Sequence, residues 1–324
     1  MKRSYIALAV VIIASVIALF IHLQPPDQAV VQPADRKAVE PPTAPDKAKA
    51  VVPPTPPDKK APEPKVEPKA KAEPKGKAET PEPPAPADTA AVLEAVDAHL
   101  AARKPVEAMK ALSDAIAKTT GPAAAPLKKR QTELVNVHYF SSRPSPVATT
   151  YTVAAGDNLR RIAANHNATD SYVARLNDIK DKDHIRIGQR LKIVQGGFDA
   201  EIVKSQYLLT VTKDGIWIRD IKVGLGKDGA TPIGAFIAGP KITEPPYTAV
   251  HPPIPFGDKK NNPLGTRWIT IQGAGSNEYG IHGTWEDDSI GSEKSKGCIR
   301  MLNKDVEWLF DLIIPGKSKI VIKP

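Results

Sequence analysis

"EIVKSQYLLTVTKDGIWIRDIKVGLG", Glu201 to Gly226, alternates apolar with polar side chains in two runs, and Lys213-Asp214-Gly215 interrupts the alternation between them. A two-residue period puts successive side chains on opposite faces of a strand, and Asp-Gly accepts the positive φ of a tight hairpin. The stretch therefore predicts two paired strands, each with one buried face. Outward from it, "RWITIQG" (Arg267 to Gly273) and "KIVIK" (Lys319 to Lys323) repeat the pattern, and Lys227-Asp228-Gly229 marks another turn. Between them "PPYTAVHPPIPFGDKKNNPLG", Pro245 to Gly265, has the composition of a long surface loop. Residues 198–324 thus read as a largely antiparallel, mainly-β domain. One helix is expected near its end, with Asn303 capping "KDVEWLFDLI" and Pro315-Gly316 stopping it.

Toward the N-terminus the text changes twice. Over 88–140 apolar residues recur at helical spacing: Val92, Leu93, Val96 and Leu100, then Val106, Met109, Leu112 and Ile116 after Pro105, then a weaker third stretch. Two or three short helices packed as a hairpin are predicted. Residues 24–87 are Pro, Ala, Lys and Glu with almost no large apolar side chain, a composition that cannot repay the entropy of ordering and favours extended polyproline geometry. That segment is read as a disordered tether. Residues 1–23 open with Lys2 and Arg3 and continue as "YIALAVVIIASVIALFIHL", long enough to cross a bilayer as a helix, and are read as an uncleaved signal anchor with the rest of the chain outside.

Composition excludes some classes of function. The net charge of +9 is spread along the chain, whereas a nucleic-acid binder concentrates it on one face. A single cysteine, Cys298, rules out an internal disulfide framework, so its thiol is left for chemistry or for pairing between molecules. A thiol becomes a nucleophile when a base takes its proton or positive charge stabilises the thiolate. Among the seven histidines His282, in "YGIHGTW", is the best placed, because a strand-like run opens there into a glycine loop shortly before Cys298. The adjacent Asp287 and Asp288 point differently on an extended loop, and no metal site is predicted.

Two stretches carry resemblances to known families. "YTVAAGDNL" (151–159), "IAANHNA" (162–168), "LNDIKD" (176–181) and I-x-x-G-Q-x-L-x-I (185–193) follow the order and spacing of a lysin-motif (LysM) domain, placed at 150–195. That resemblance implies a βααβ unit that binds N-acetylglucosamine-containing chains. Carried over by position, its groove would involve Gly156, Asp157, Asn158, Leu159, Asn177, Asp178 and Ile179. "TPIGAF" (231–236), "NPLGTRWI" (262–269), "YGIHGT" (279–284) and "SKGCIRM" (295–301) together resemble the catalytic domain of the L,D-transpeptidases, the YkuD domain, across nearly all of 198–324. Many members carry His where this chain has Lys296.

The second resemblance implies a β-sandwich catalytic domain and a reaction. Cys298 would attack the diaminopimelate carbonyl of a peptidoglycan tetrapeptide stem, expel the terminal D-Ala and hold the stem as a thioester. His282 would move the proton, oriented by the carbonyl of Gly283, and the backbone N–H groups of Gly297 and Cys298 would meet the oxyanion. Ser295, Lys296 and Arg300 are assigned to substrate binding, Arg300 to a stem carboxylate. The amine of a second stem would resolve the thioester into a 3-3 cross-link. No cofactor is implied. The partners would be peptidoglycan and, through the anchor, the cytoplasmic membrane of a bacterial envelope. A carboxypeptidase using water as acceptor, and a non-catalytic wall tether, stay open as alternatives.

Overall fold

The helices begin where their caps dictate. Asp88 accepts from the backbone N–H of Ala90 and Ala91 (3.0 and 3.4 Å) and opens α1, Thr89–Ala101. α2, Pro105–Lys118, has proline at its first turn, where the missing N–H is no loss, and α3 spans Ala124–Tyr139. Val96, Met109, Leu112, Ile116, Leu127 and Val135 are buried where the three helices meet each other and the β domain. The computed structural model describes residues 88–275 and 279–324, all within one compact unit. The anchor read over 1–23 and the linker read over 24–87 lie outside the described residues. Among the described residues no helix is long and apolar enough to cross a membrane.

Next come β1, Thr149–Thr152, α4, Leu159–Asn165, α5, Asp170–Leu176, and β2, Arg190–Ile193, with β1 and β2 antiparallel. This βααβ unit has its own small core of Val153, Leu159, Ile162, Val173, Leu191 and Ile193. Tyr172 turns away from that core. Its hydroxyl donates to the Tyr139 carbonyl (2.7 Å), and its ring meets Phe198 edge-on at 5.2 Å, so the unit is joined to the helices and the β domain by aromatic packing.

The β domain contains β3, Asp199–Val203; β4, Leu208–Lys213; β5, Ile216–Lys222; β6, Leu225–Gly226; β7, Gly234–Thr243; β8, Arg267–Gln272; β9, Gly280–His282; β10, Glu293–Ser295; β11, Ile299–Arg300; and β12, Lys319–Lys323. α6, Asn303–Leu312, precedes β12 and packs Val306 and Leu309 against β8 and β9. Alternation predicts the β4–β5 hairpin well: Leu209, Val211, Ile216, Ile218 and Ile221 are buried, and Asp214 and Gly215 both take positive φ in the turn, but the first run is broken at Lys204–Gln206 into β3 and β4. Most pairings in the main sheet are antiparallel, as the alternating strands and tight turns lead one to expect, with parallel exceptions. Eight strands form one mixed sheet in the order β11-β9-β8-β7-β12-β3-β4-β5, parallel at β11/β9 and β12/β3, and β6 pairs with β10 in a separate parallel ladder. Burial periodicity reports which face is inside and is blind to direction, which depends on distant segments.

β5 is the edge of this sheet, and the helices cover it. Ser113 Oγ accepts from the Trp217 N–H (2.9 Å), Gln131 Nε2 donates to the Trp217 carbonyl (3.0 Å), and Lys128 pairs with Asp220 (2.7 Å). The helical layer thereby satisfies backbone groups that an open edge would expose.

Candidate active site

β9 is the centre of the site. It pairs antiparallel with β8, Trp268 opposite His282 and Thr270 opposite Gly280, and parallel with β11, Arg300 opposite His282. Paired residues share a face, and so do residues two apart on one strand. Cys298 directly precedes β11, the strand beside the one that carries His282. It opens into a groove of ≈ 580 Å³ lined by Cys298, Lys296, Trp268, Thr270, Tyr279 and the wall from Pro240 to Leu264.

His282 is 3% exposed. Its Nδ1 lies 2.6 Å from the Gly283 carbonyl, and because a carbonyl only accepts, the proton sits on Nδ1 and leaves the Nε2 lone pair available. Trp268 stacks on the ring at 5.7 Å and 16°. Burial pushes the imidazole down to about 4, the Arg300 charge acts in the same direction, and the Gly283 and Leu264 carbonyls oppose both. The ring is neutral at physiological pH, the form that can take a proton.

Two glycines fit this arrangement by lacking a side chain. A Cβ on Gly280 would stand 2.5 Å from the Trp268 indole, so the Trp268 ring lies where that side chain would be. A Cβ on Gly283 would meet Asn303 Oδ1 at 2.1 Å. Asn303 was expected to cap α6; instead its Oδ1 accepts from the Thr266 N–H (3.0 Å) and its Nδ2 donates to the Thr284 carbonyl (2.8 Å), clamping the loops on either side of His282.

The thiol loop is tied internally. Ser295 is buried; its Oγ donates to the Cys298 carbonyl (2.7 Å) and accepts from the Gly297 N–H (3.1 Å). Ser295 thus holds the loop from within, and the Gly297 N–H, expected to meet an oxyanion, is engaged by its hydroxyl. Gly297 is required for another reason: its φ is +133°, and a Cβ there would lie 2.5 Å from the Tyr279 ring. Its Cα stands equally close to where a Cβ on Gly226 would be, and the Gly226 N–H donates to Thr231 Oγ1 (2.8 Å).

Arg300, expected on a stem carboxylate, has an acidic neighbour. It is 12% exposed, pairs through Nη1 with Glu286 (2.8 Å) and does not line the groove. Lys296 is exposed and does line it. Sequence reasoning missed Trp268, Gly280 and Asn303. The first two stand inside the quoted "NPLGTRWI" and "YGIHGT" stretches, but a contact between strands leaves no periodic signal in either.

In the βααβ unit the seven predicted glycan residues divide. Leu159 is 1% exposed in the core and cannot touch a ligand. Asn158 caps α4 through the Arg161 N–H (2.9 Å). Asn177 donates to the Val173 and Lys192 carbonyls and accepts from the Lys192 N–H, tying α5 to β2. Asp157 is held below the usual carboxylate range by the Ala154 N–H and the Tyr151 hydroxyl. Gly156 (φ +80°) and Asp178 (φ +57°) make the two turns. Asn177, Asp178 and Ile179 border a groove of ≈ 540 Å³ that continues along Lys180, His184 and Gln189, and residues 156–159 are not part of it.

Comparison with known proteins was made against this geometry. Residues 199–322 match the family model of the L,D-transpeptidase catalytic domain, and residues 151–194 match that of the LysM domain. YqjB of Bacillus subtilis, a protein named for L,D-transpeptidase activity, is 39% identical over 102 residues, 31% of this chain and 56% of that one. The match thus spans little more than half of that relative. YkuD of Bacillus licheniformis, similarly named, is 29% identical over 178 residues, 54% of this chain and 98% of its own length. Among solved structures, an L,D-transpeptidase from Mycobacterium tuberculosis H37Rv aligns at 17% identity and a TM-score of 0.33 over 43% of this chain and 63% of that one, too low for the fold to be argued from it.

Proposed function

Because the chain carries an L,D-transpeptidase catalytic domain behind a LysM domain, we propose that it transfers peptidoglycan stem peptides through a thioester on Cys298. The observation that carries this reading is the neutral, buried imidazole of His282, its Nδ1 committed to Gly283, on β9 beside the strand that follows Cys298 and stacked on Trp268, which lines the same groove as the thiol.

His282 Nε2 takes the thiol proton as the sulfur adds to the diaminopimelate carbonyl of a tetrapeptide stem. The carbonyl–nitrogen bond to the terminal D-Ala breaks, the proton passes from the imidazole to the departing amine, and the acyl group remains on sulfur. The side-chain amine of a second stem then attacks the thioester, gives up a proton and restores the thiol, leaving a 3-3 cross-link. Arg300 acts at a distance: its charge helps keep His282 neutral. The LysM unit holds the glycan, which raises the local concentration of stems that bind weakly one at a time. An anchor at 1–23 and an extended linker over 24–87 would let a membrane-held protein in a bacterial envelope reach the wall.

The test is incubation of the protein with disaccharide-tetrapeptide, read by mass spectrometry. Dimers and a thioester adduct are expected from the wild type and neither from Cys298→Ala. Tripeptide without dimer would make it a carboxypeptidase, and absence of any adduct would make it a wall tether.

A further inference from the structure

The groove beside Cys298 has an uneven chemistry. Pro240, Ile242, Pro246, Leu264 and Trp268 make its walls largely apolar, and among the described residues that line it Lys296 alone carries a charge. The hydroxyl of Thr270 is already taken by the Trp268 Nε1–H (3.0 Å). The neighbouring cations are engaged elsewhere: Lys294 pairs with Asp288 (2.8 Å), Arg300 with Glu286 (2.8 Å), and Lys241 donates to the Phe310 and Ile313 carbonyls. Lys296 is exposed and makes no ion pair or hydrogen bond among the described residues. The turn between it and the thiol is held by the Ser295 bonds and by Gly297, whose φ of +133° glycine adopts freely.

An apolar groove with one positive charge suits a chain of amides and methyl groups with one negative charge. A carboxylate brought there without a partner would lose hydration and gain nothing, whereas beside an ammonium on a low-dielectric wall it is well held. The charge must also lie close to the attacked carbon, because Lys296 is two residues from Cys298. In a peptide donor the free carboxylate of the residue that leaves is three bonds from the attacked carbonyl carbon, less than about 4 Å away.

We propose that Lys296 binds the free α-carboxylate of the leaving residue, so that the site selects donors that end one residue beyond the attacked carbonyl. This deepens the acyl-transfer reading and rests on it. A donor extended by one residue, or amidated, offers a neutral amide where Lys296 needs an anion and leaves the ammonium unpaired. The reaction is unchanged: sulfur–carbon forms, carbon–nitrogen breaks, and the leaving residue departs with its carboxylate on Lys296 and the transferred proton on its amine. This gives the lysine a role in choosing the donor, apart from any effect on the thiol.

The test compares the full chain with its Lys296→Gln, Lys296→Arg and Lys296→Glu variants on two donors, disaccharide-tetrapeptide with a free C-terminus and the same compound as its C-terminal amide. Adduct formation on Cys298 is followed by mass spectrometry under single-turnover conditions. The wild type is expected to prefer the acid by at least 10-fold. Lys296→Arg should keep that preference, Lys296→Gln should bring the ratio close to one, and Lys296→Glu should favour the amide. A ratio in Lys296→Gln equal to that of the wild type would overturn the proposal, since a change in thiol reactivity alone slows both donors alike. Absence of an adduct from either donor with the wild type would overturn the acyl-transfer reading, and this one with it.

Discussion

An imidazole closed off by an indole on one face and held by a carbonyl on one nitrogen depends on both neighbours for its proton affinity. Burial is the largest cause of the depressed His282 value of about 4, and the stacked Trp268 supplies part of that burial. Trp268→Ala would open the ring to water and raise its proton affinity toward the ordinary 6.5. The acid limb of the kcat/KM profile for adduct formation should then move up in pH, while Trp268→Phe should move it much less; an unmoved limb in Trp268→Ala would refute the role. The same burial has a consequence for folding. The unfolded chain binds a proton on His282 below pH 6.5 and the folded chain only below about 4, so the neutral ring's contribution is complete above 6.5 and declines as pH falls through that interval. The loss is about 3 kcal/mol. Denaturant midpoints from pH 7 to pH 4 should fall accordingly, and a His282→Phe variant should show a shallower decline.

At the scale of elements, the site is a parallel pair, β9 and β11, followed by loops clamped by single side chains. Ser295 joins the carbonyl of Cys298 to the N–H of Gly297, and its removal would leave both without that partner in a buried turn. A buried backbone group without a partner costs about 1–3 kcal/mol. Ser295→Ala should therefore lower stability by that order in urea titrations and slow adduct formation, whereas Ser295→Thr, which keeps the hydroxyl, should recover most of both. Much at this scale was readable in the sequence. The alternation in 201–226 marks the β4–β5 hairpin, and Cys298 and His282 stand out by chemistry. What was hidden has a common cause. The pairing of β11 beside β9, the clamp made by Asn303 and the space that Gly280 leaves for Trp268 all join residues distant in the chain, and local periodicity carries no record of such partners. The Arg300–Glu286 pair is of the same kind, since Glu286 reaches the arginine from a loop whose course no pattern announces.

Across the whole molecule the described chain is built around one continuous core with a satellite, because the cluster that begins at Val96 in α1 runs through Tyr172 and Phe198 to Ile322 in β12, while the LysM unit keeps a separate small core. Tyr172 is the joint between them: its ring lies among Phe140 and Phe198, and its hydroxyl is bonded to Tyr139, beside the Arg175–Asp311 ion pair. Truncating a buried aromatic side chain costs about 3–5 kcal/mol. In Tyr172→Ala most of that loss falls on the contact between units, because Val153, Ile162, Val173 and Leu191 still enclose the LysM core without it. Calorimetry of the wild type should therefore show one cooperative transition for the LysM and β regions, and Tyr172→Ala should split it, with the smaller unit melting first. Tyr172→Phe, which loses only the hydrogen bond to Tyr139, should lower the midpoint and keep a single transition. A Tyr172→Ala protein that melted in one step at the wild-type temperature would show that the two units are coupled through other contacts, and the LysM unit could not then be regarded as fixed to the thiol domain by this aromatic joint.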